Sequence, residues 1–295
     1  MRPRRLPIST ATRWKIRSAL MLAKSQVPHG LRHQTVHLGY YSGPNFGDAL
    51  SPLITSFVLG APVREAHYAG ADLTAVGSVL DTFEKYRNRT NPYIWGSGYI
   101  QDGPAWSGTA VTPCAVRGAL TRARLQHLSD SPIPLGDPGL LVSRMYPSLQ
   151  SVQKRYRVGV IPHIREKYSD KLNEFRGKSP DIQIIDPAAD PRLVLEQIAA
   201  SQFIVSSSLH GLVCSDALGV PNIWTPISSA VEGAGYKFHD YYSAFGIEAR
   251  SMSIDVAIRS TDDLIASWEQ PVQIESLVDG LIEAFPRDAL KARYR

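Results

Sequence analysis

Cysteine is scarce in this chain: Cys114 and Cys214 are the only two among 295 residues. Two thiols build neither a disulfide scaffold nor a four-cysteine zinc site, so a reducing, cytosolic setting fits best. Long apolar runs are missing too. No stretch reaches the ~18 uninterrupted apolar residues of a membrane-crossing helix, and the first segment lacks the apolar core of a secretory signal. Nucleotide fingerprints are also absent. Gly96-Ser97-Gly98 is followed by Tyr99-Ile100-Gln101, so G-x-G-x-x-G fails, and no G-x-x-x-x-G-K-[ST] occurs. No close cluster of histidine, cysteine and carboxylate suggests a metal, and neither a metal nor a cofactor is expected. There are no internal repeats and no low-complexity linker.

Acidic residues are lacking from one region only. Before Asp48 there is none, whereas Arg2, Arg4, Arg5, Arg13, Lys15, Arg17, Lys24 and Arg32 give that segment +8. The whole chain is +5, so the remainder is −3. A basic arm on a mildly acidic body implies an anionic surface as partner and argues against a nucleic-acid binder. Trp14, Ile16, Ala19, Leu20 and Ala23 recur among those cations at near-helical spacing, the pattern of a short interfacial helix on anionic lipid. The expectation is a peripheral membrane protein facing the cytoplasm, with a solvated arm as the alternative.

What is present in quantity is ordinary globular composition, 43% hydrophobic and 20% charged. The recurring unit is a strand, a turn of small or polar residues, and a helix. Strand-like runs fall at Thr35–Tyr41, Leu73–Leu80, Tyr93–Gly96 and Ala110–Val116, with helices at Ala49–Leu59 and Gly118–His127. A polar, basic stretch, Ser148 to Arg157, reads as a link. A second series follows: strands at Val158–Ile161, Ile182–Ile185, Phe203–Val205 and Asn222–Ile227, more strand near Ser251–Ile254, and a helix near Arg192–Ala200. This predicts an α/β protein with two Rossmann-like, doubly wound domains facing a cleft. The expected division is a basic arm at 1–34, an N-terminal α/β domain at 35–148, a C-terminal α/β domain at 149–270, and terminal helices at 271–295.

Ligands of such folds lie at the carboxyl ends of the strands, and the chemistry-bearing residues cluster there. After Phe203-Ile204-Val205 come Ser206, Ser207 and Ser208, then Leu209-His210-Gly211 and a helix that Gly219 and Pro221 end. A strand that breaks into serines and re-forms as a helix aims amides, hydroxyls and a positive dipole end at one point, which suits an anion. His210 at its mouth can donate to that anion or move a proton. Asn45-Phe46-Gly47-Asp48 follows the first strand. Asp48 either caps the next helix or acts as a general base, and the two uses compete for the same oxygens. Arg117 sits at a strand–helix junction in an apolar run. It needs an acid such as Asp137, or offers its planar fork to a carboxylate or phosphate. His163 is a weaker candidate, as are Glu232 and Lys237 on a glycine-rich loop reaching Asp240 and suited to sugar hydroxyls.

Taken together, Asn45-Phe46-Gly47-Asp48, Arg117-Gly118, Gly136-Asp137-Pro138-Gly139-Leu140-Leu141 and Ser208-Leu209-His210-Gly211 stand in the order of the polysaccharide pyruvyl transferase family, which the chain resembles across roughly residues 36–240. Many members carry arginine where Ser208 stands, which shifts anion binding onto Arg117 and the loop amides. The resemblance implies a fold similar to the GT-B glycosyltransferases, phosphoenolpyruvate as donor and a lipid-linked exopolysaccharide repeat unit as acceptor. It implies a cyclic pyruvate ketal as product, and an active site on the inner face of the plasma membrane. Asp48 and His210 are then the catalytic pair, and Asn45, Arg117, Ser206, Ser207, Ser208, His163, Glu232 and Lys237 bind substrate. The rival is a GT-B glycosyltransferase taking a nucleotide-sugar, with Asp216 or Glu232 reaching the ribose.

Overall fold

A computed structural model describes residues 35–88, 90–177, 179–229 and 231–293. The basic arm, and the interfacial helix expected in it, lie outside the described residues.

The first strand, β1 (Val36–Gly39), buries Val36 and Leu38 and leads through Ser42-Gly43-Pro44 into helix α1 (Phe46–Leu59). Asn45 caps that helix, accepting a hydrogen bond from the Gly47 amide, and Gly60 ends it with a φ of 73°. Leu50 and Ile54 on its inner face are fully buried. Burying each is worth roughly 1.5–3 kcal/mol, which outweighs the few tenths that propensity supplies per residue. Three further parallel strands follow β2 (Val63–Ala66), namely β3 (Leu73–Thr74), β4 (Tyr93–Trp95) and β5 (Thr112–Ala115), in the order β2-β1-β3-β4-β5. Helix α2 (Ala119–Leu125) leaves β5.

The second series repeats the logic. Strands β6 (Tyr156–Ile161), β7 (Ile182–Ile184), β8 (Ser201–Ser206) and β9 (Asn222–Trp224) form a parallel sheet in the order β7-β6-β8-β9. Helices α3 (Pro191–Ala199), α4 (Leu209–Ala217) and α5 (Tyr236–Ser243) accompany it. In both sheets the first strand lies between the second and the third, so the winding reverses between β1 and β3 and between β6 and β8. A crevice opens at the carboxyl ends of strands where such a reversal occurs.

One hydrophobic cluster spans both sheets, joining Leu38, Leu50 and Trp95 to Ile161, Ile204 and Val213. The last long helix, α6 (Ile274–Ala284), returns to the first half. The Trp95 indole donates to the Leu281 carbonyl at 2.8 Å and meets Phe285 edge-on. Among the described residues no helix is long and apolar enough to cross a membrane.

Several local expectations change. The run expected as one strand over Leu73–Leu80 pairs only through Thr74, because Gly77 turns the chain at a φ of 117° and Leu80 starts a one-turn helix. Strand β2 escaped the reading because Arg64 and Glu65 are exposed at a sheet edge, leaving no apolar run. Near Ser251 only a single bridge to Trp224 forms. The expected link is pinned to the core by Leu149, and Tyr156 already belongs to β6. The glycine-rich loop ends at Gly235, so Lys237 and Asp240 ride on helix α5.

Candidate active site

A cleft of about 300 Å³ opens where the two winding reversals face each other. Tyr41 and Asn45 come to it from the end of β1, Ser78 from beyond β3, His163 from the end of β6, and Ser208 and His210 from the end of β8. Asp48, Tyr68, Thr82, Arg165, Glu232 and Lys237 also line it. Of the ten side chains expected at the site, the fold thus brings together seven: Asn45, Asp48, His163, Ser208, His210, Glu232 and Lys237.

Capping and catalysis do not compete at Asp48. Asn45 takes the capping role through its carbonyl oxygen while its amide donates to Asp48 Oδ2 at 2.6 Å. Asp48 is therefore held by a neighbour rather than by the helix backbone. Burial pushes its carboxyl up to about 7, against the opposing pull of Lys237 and the Asn45 hydrogen bond. Gly77 permits this placement, since a Cβ there would lie 2.6 Å from Asp48 Oδ1.

His210 sits on the first turn of α4, buried against Gly47, where any Cβ would overlap the imidazole. Its Nε2 is 3.7 Å from Asp137 Oδ2, and neither atom has a hydrogen-bond partner among the described residues. Burial, reinforced by the charges of Arg117 and Lys237, lowers His210 to about 3, so the imidazole is neutral. Burial raises Asp137 to about 6. The Gly139 amide donates to Asp137 Oδ1 at 2.8 Å and fixes the carboxyl behind the ring. Asp137 thus faces His210, not Arg117 as its place in the sequence suggested.

Arg117 requires correction as a direct anion ligand. Its side chain is fully buried, and its donors are engaged inside the protein. Nε donates to Asp240 Oδ2 at 2.8 Å, Nη1 to Ser78 Oγ at 2.6 Å and Nη2 to the Tyr99 carbonyl at 2.5 Å. It stands one layer behind the cleft, buttressing Ser78 and contributing only its field. Asp240 is its partner because α5 carries that carboxylate to the start of α2, where it also accepts from the Thr121 amide and hydroxyl, each at 2.7 Å. No sequence spacing links positions 117 and 240.

The serines divide. Ser206 donates to the Ile161 carbonyl at the end of β6 and to the Ser208 carbonyl in its own turn, and Ser207 donates to Glu166 at 2.5 Å. Both hydroxyls are structural, and Ser208 alone of the three lines the cleft. Glu166 was invisible in the sequence, standing alone among basic residues. It is buried, accepts from Ser207, and takes both the amide and the hydroxyl of Ser228 at 2.7 Å, so it ties the serine turn to the loop carrying Glu232. Ser207 Oγ also accepts the His163 amide at 2.8 Å. His163 is lowered to about 3 by burial, with Lys237 and Arg165 adding to the effect. Glu232 pairs with Arg165 at 2.6 Å in solvent.

Lys237 supplies the cation that Arg117 does not. It is 6% exposed, and its ammonium makes no hydrogen bond or ion pair with any described residue. Burial lowers it to about 8, with Arg117 adding to the effect and Asp48 and Glu166 opposing it. The cleft therefore offers one unpaired ammonium, the N-terminus of the nine-residue helix α4, a titrating carboxyl and a neutral imidazole. That set can hold a small anion and move protons. Asp216, a candidate for gripping a ribose, is buried away from the cleft and accepts from Asn222 and Tyr241 at 2.7 and 2.9 Å.

Comparison with known proteins adds four findings. The family described as polysaccharide pyruvyl transferase matches over residues 108–229. The succinoglycan biosynthesis protein ExoV of Rhizobium meliloti is 27% identical over 223 residues, covering 73% of this chain and 66% of its own length. An uncharacterized protein of Acanthamoeba polyphaga mimivirus is 34% identical over 178 residues, 59% of this chain and 60% of that one. The chain thus spans under two thirds of the length of these curated relatives. An uncharacterized protein of Klebsiella pneumoniae overlaps in structure at 10% identity and a TM-score of 0.39, covering 82% of this chain and 99% of that one, too slight a likeness to carry an argument.

Proposed function

We infer that the chain belongs to the polysaccharide pyruvyl transferase family, whose model matches residues 108–229, and that it moves pyruvate from phosphoenolpyruvate onto a sugar of an exopolysaccharide repeat unit, closing a cyclic ketal. The observation that carries this reading is the convergence of Lys237, the α4 N-terminus, Asp48 and His210 on one cleft at the winding reversals of two parallel sheets. Two such sheets facing a cleft are the arrangement of a GT-B transferase, and we extend that likeness to the fold. A lipid-linked acceptor at the inner face of the membrane, met by the basic arm, is part of the same proposal.

Lys237, Ser208 and the amides opening α4 hold the donor's phosphate and carboxylate. The donor's own charge then activates the histidine. At about 4 Å and an effective dielectric of ~20, one unit charge is worth roughly 4 kcal/mol, or ~3 pKa units. A polyanion beside His210 therefore lifts it from about 3 toward the working range. His210, oriented by Asp137, gives its proton to the methylene carbon, leaving an oxocarbenium-like centre at the adjacent carbon. Asp48 takes the proton of an acceptor hydroxyl whose oxygen bonds to that centre. The carbon–phosphate oxygen bond then breaks, a neighbouring hydroxyl of the same sugar forms the second carbon–oxygen bond, and its proton leaves with inorganic phosphate.

The nucleotide-sugar reading loses Asp216, which is committed elsewhere, and is left with Glu232, which lines the cleft as the partner of Arg165. Thermal-shift titration separates the two: phosphoenolpyruvate raises Tm, UDP-glucose does not, and Lys237→Met loses the shift while keeping its own melting transition. A shift by the nucleotide-sugar alone, or one retained in Lys237→Met, rejects the assignment.

A further inference from the structure

Large exposed aromatics on a soluble chain mark contact surfaces when they gather in one place, and here two gather beside the cleft. Tyr41 is 51% exposed and lines the cleft mouth, its ring folded over Gly43. Tyr86 is 38% exposed and stands four residues beyond Thr82, another cleft residue, at the end of the same helical turn. Tyr68 lines the cleft together with Tyr41 and packs against Tyr86; burial raises its pKa above the ordinary phenol value, with Asp48 adding to the effect. The Tyr68 and Tyr86 rings are held in place. Tyr68 stacks on Tyr86 at 6.0 Å and 30° and meets Phe83 edge-on, while His67 meets Tyr86 edge-on at 4.5 Å.

We propose that Tyr41, Tyr68 and Tyr86 form a stacking platform for the sugars of an oligosaccharide acceptor beyond the one that reacts at Asp48. This rests on the transferase reading above and adds where, and by what chemistry, the acceptor's length is felt. A pyranose presents a face of polarised C–H bonds and a rim of hydroxyls. Tyrosine matches it, because the ring's electron-rich face attracts those hydrogens and the phenol bonds the rim. Glu65, exposed on β2 beside Tyr68, adds an acceptor for hydroxyls. Tyr68 and Tyr86, already fixed against one another, lose little freedom on binding, so their contact area converts to affinity with small entropic loss. Asp48, Tyr41 and Tyr68 line the cleft while Tyr86, stacked on Tyr68, stands outside its lining, so the reacting sugar sits inside and the next units pass toward Tyr86.

The experiment uses the full chain and two probes, a disaccharide and a longer oligosaccharide of the same series, both made by partial hydrolysis of succinoglycan, with Kd read by saturation-transfer NMR. The longer probe binds the parent more tightly, and Tyr86→Ala weakens it about three- to tenfold while leaving the disaccharide's Kd unchanged. Tyr86→Phe restores most of the difference, which a mere loss of fold would not allow. Equal Kd values for the two probes on the parent, or a length preference that survives Tyr86→Ala, overturns the platform. The length preference without any pyruvyl transfer to either probe leaves the platform standing and rejects the proposed reaction instead.

Discussion

At the scale of single residues, the site runs on burial acting against charge. Asp48 has an ordinary carboxyl value of 3.8 when exposed and about 7 in place. The folded chain therefore keeps a proton that the unfolded chain loses near pH 4. Stability is fully present below that pH and is lost as pH climbs toward 7, with an upper limit on the order of 4 kcal/mol. Asp48→Asn escapes this penalty. Its Tm exceeds the parent's at pH 8, and the gap closes by pH 4, while turnover falls roughly 10²–10⁴-fold. A variant no more stable than the parent at pH 8 shows that the carboxyl is not held protonated by burial. The residue best placed to bind an anion, Lys237, looked like one member of a loop in the sequence. Arg117 looked like the stronger ligand because arginine in an apolar run demands a partner. That demand is met by Asp240, 123 positions away.

At the scale of elements, three glycines shape the cleft by what they leave out. Gly47 lies on the first turn of α1 with ordinary helical backbone, yet a Cβ there would strike the His210 ring on α4. Two helices from opposite halves approach at that point, and only a bare Cα admits the imidazole. Gly77 does the same for Asp48, and Gly118 for the Asp240 backbone. Gly47→Ala is expected to displace His210 and lower turnover about a hundredfold, while far-UV circular dichroism stays unchanged. The contrast is Gly60→Ala, where φ is 73° and the added methyl meets open space. It costs roughly 1 kcal/mol of stability, seen as a lower Tm, with full activity. Should the two variants behave alike, the glycine of the Asn-x-Gly-Asp motif is a backbone requirement and not a steric one. The family pattern marks this glycine, but nothing in the pattern says that it exists to admit the histidine of another motif.

For the whole molecule, the halves are joined by a shared core and by one buried ion pair. Asp240 reaches across to neutralise Arg117 and to cap α2 through the Thr121 amide, so a carboxylate from the second half sits at the positive end of a helix of the first. Breaking such a pair from one side strands a charge and costs about 3–5 kcal/mol. Arg117→Met and Asp240→Asn are each expected to lower Tm by many degrees. The double variant Arg117→Met/Asp240→Asn regains a large part of the loss, because no full charge is then left buried. Additive losses in the double variant, measured by calorimetry, contradict the coupling. The same pair explains why Arg117 acts on the cleft only through its field. Its fork is already closed on Asp240, Ser78 and Tyr99.

Short-range pattern was enough to determine the alternation of strands and helices, the parallel α/β class, the position of the serine turn and the four motifs that name the family. Each of these depends on residues a few positions apart, where periodicity and turn chemistry act directly. Tertiary structure alone decided that Arg117 pairs with Asp240, that Asp137 stands behind His210, that Glu166 anchors the serine turn, and that the ammonium of Lys237 faces the cleft with no ion-pair partner among the described residues. Those choices are made by the winding of two sheets and the packing of helices across their shared core. Partners there are selected by distance in space and by the cost of leaving a buried charge uncompensated, and sequence separation carries no record of either.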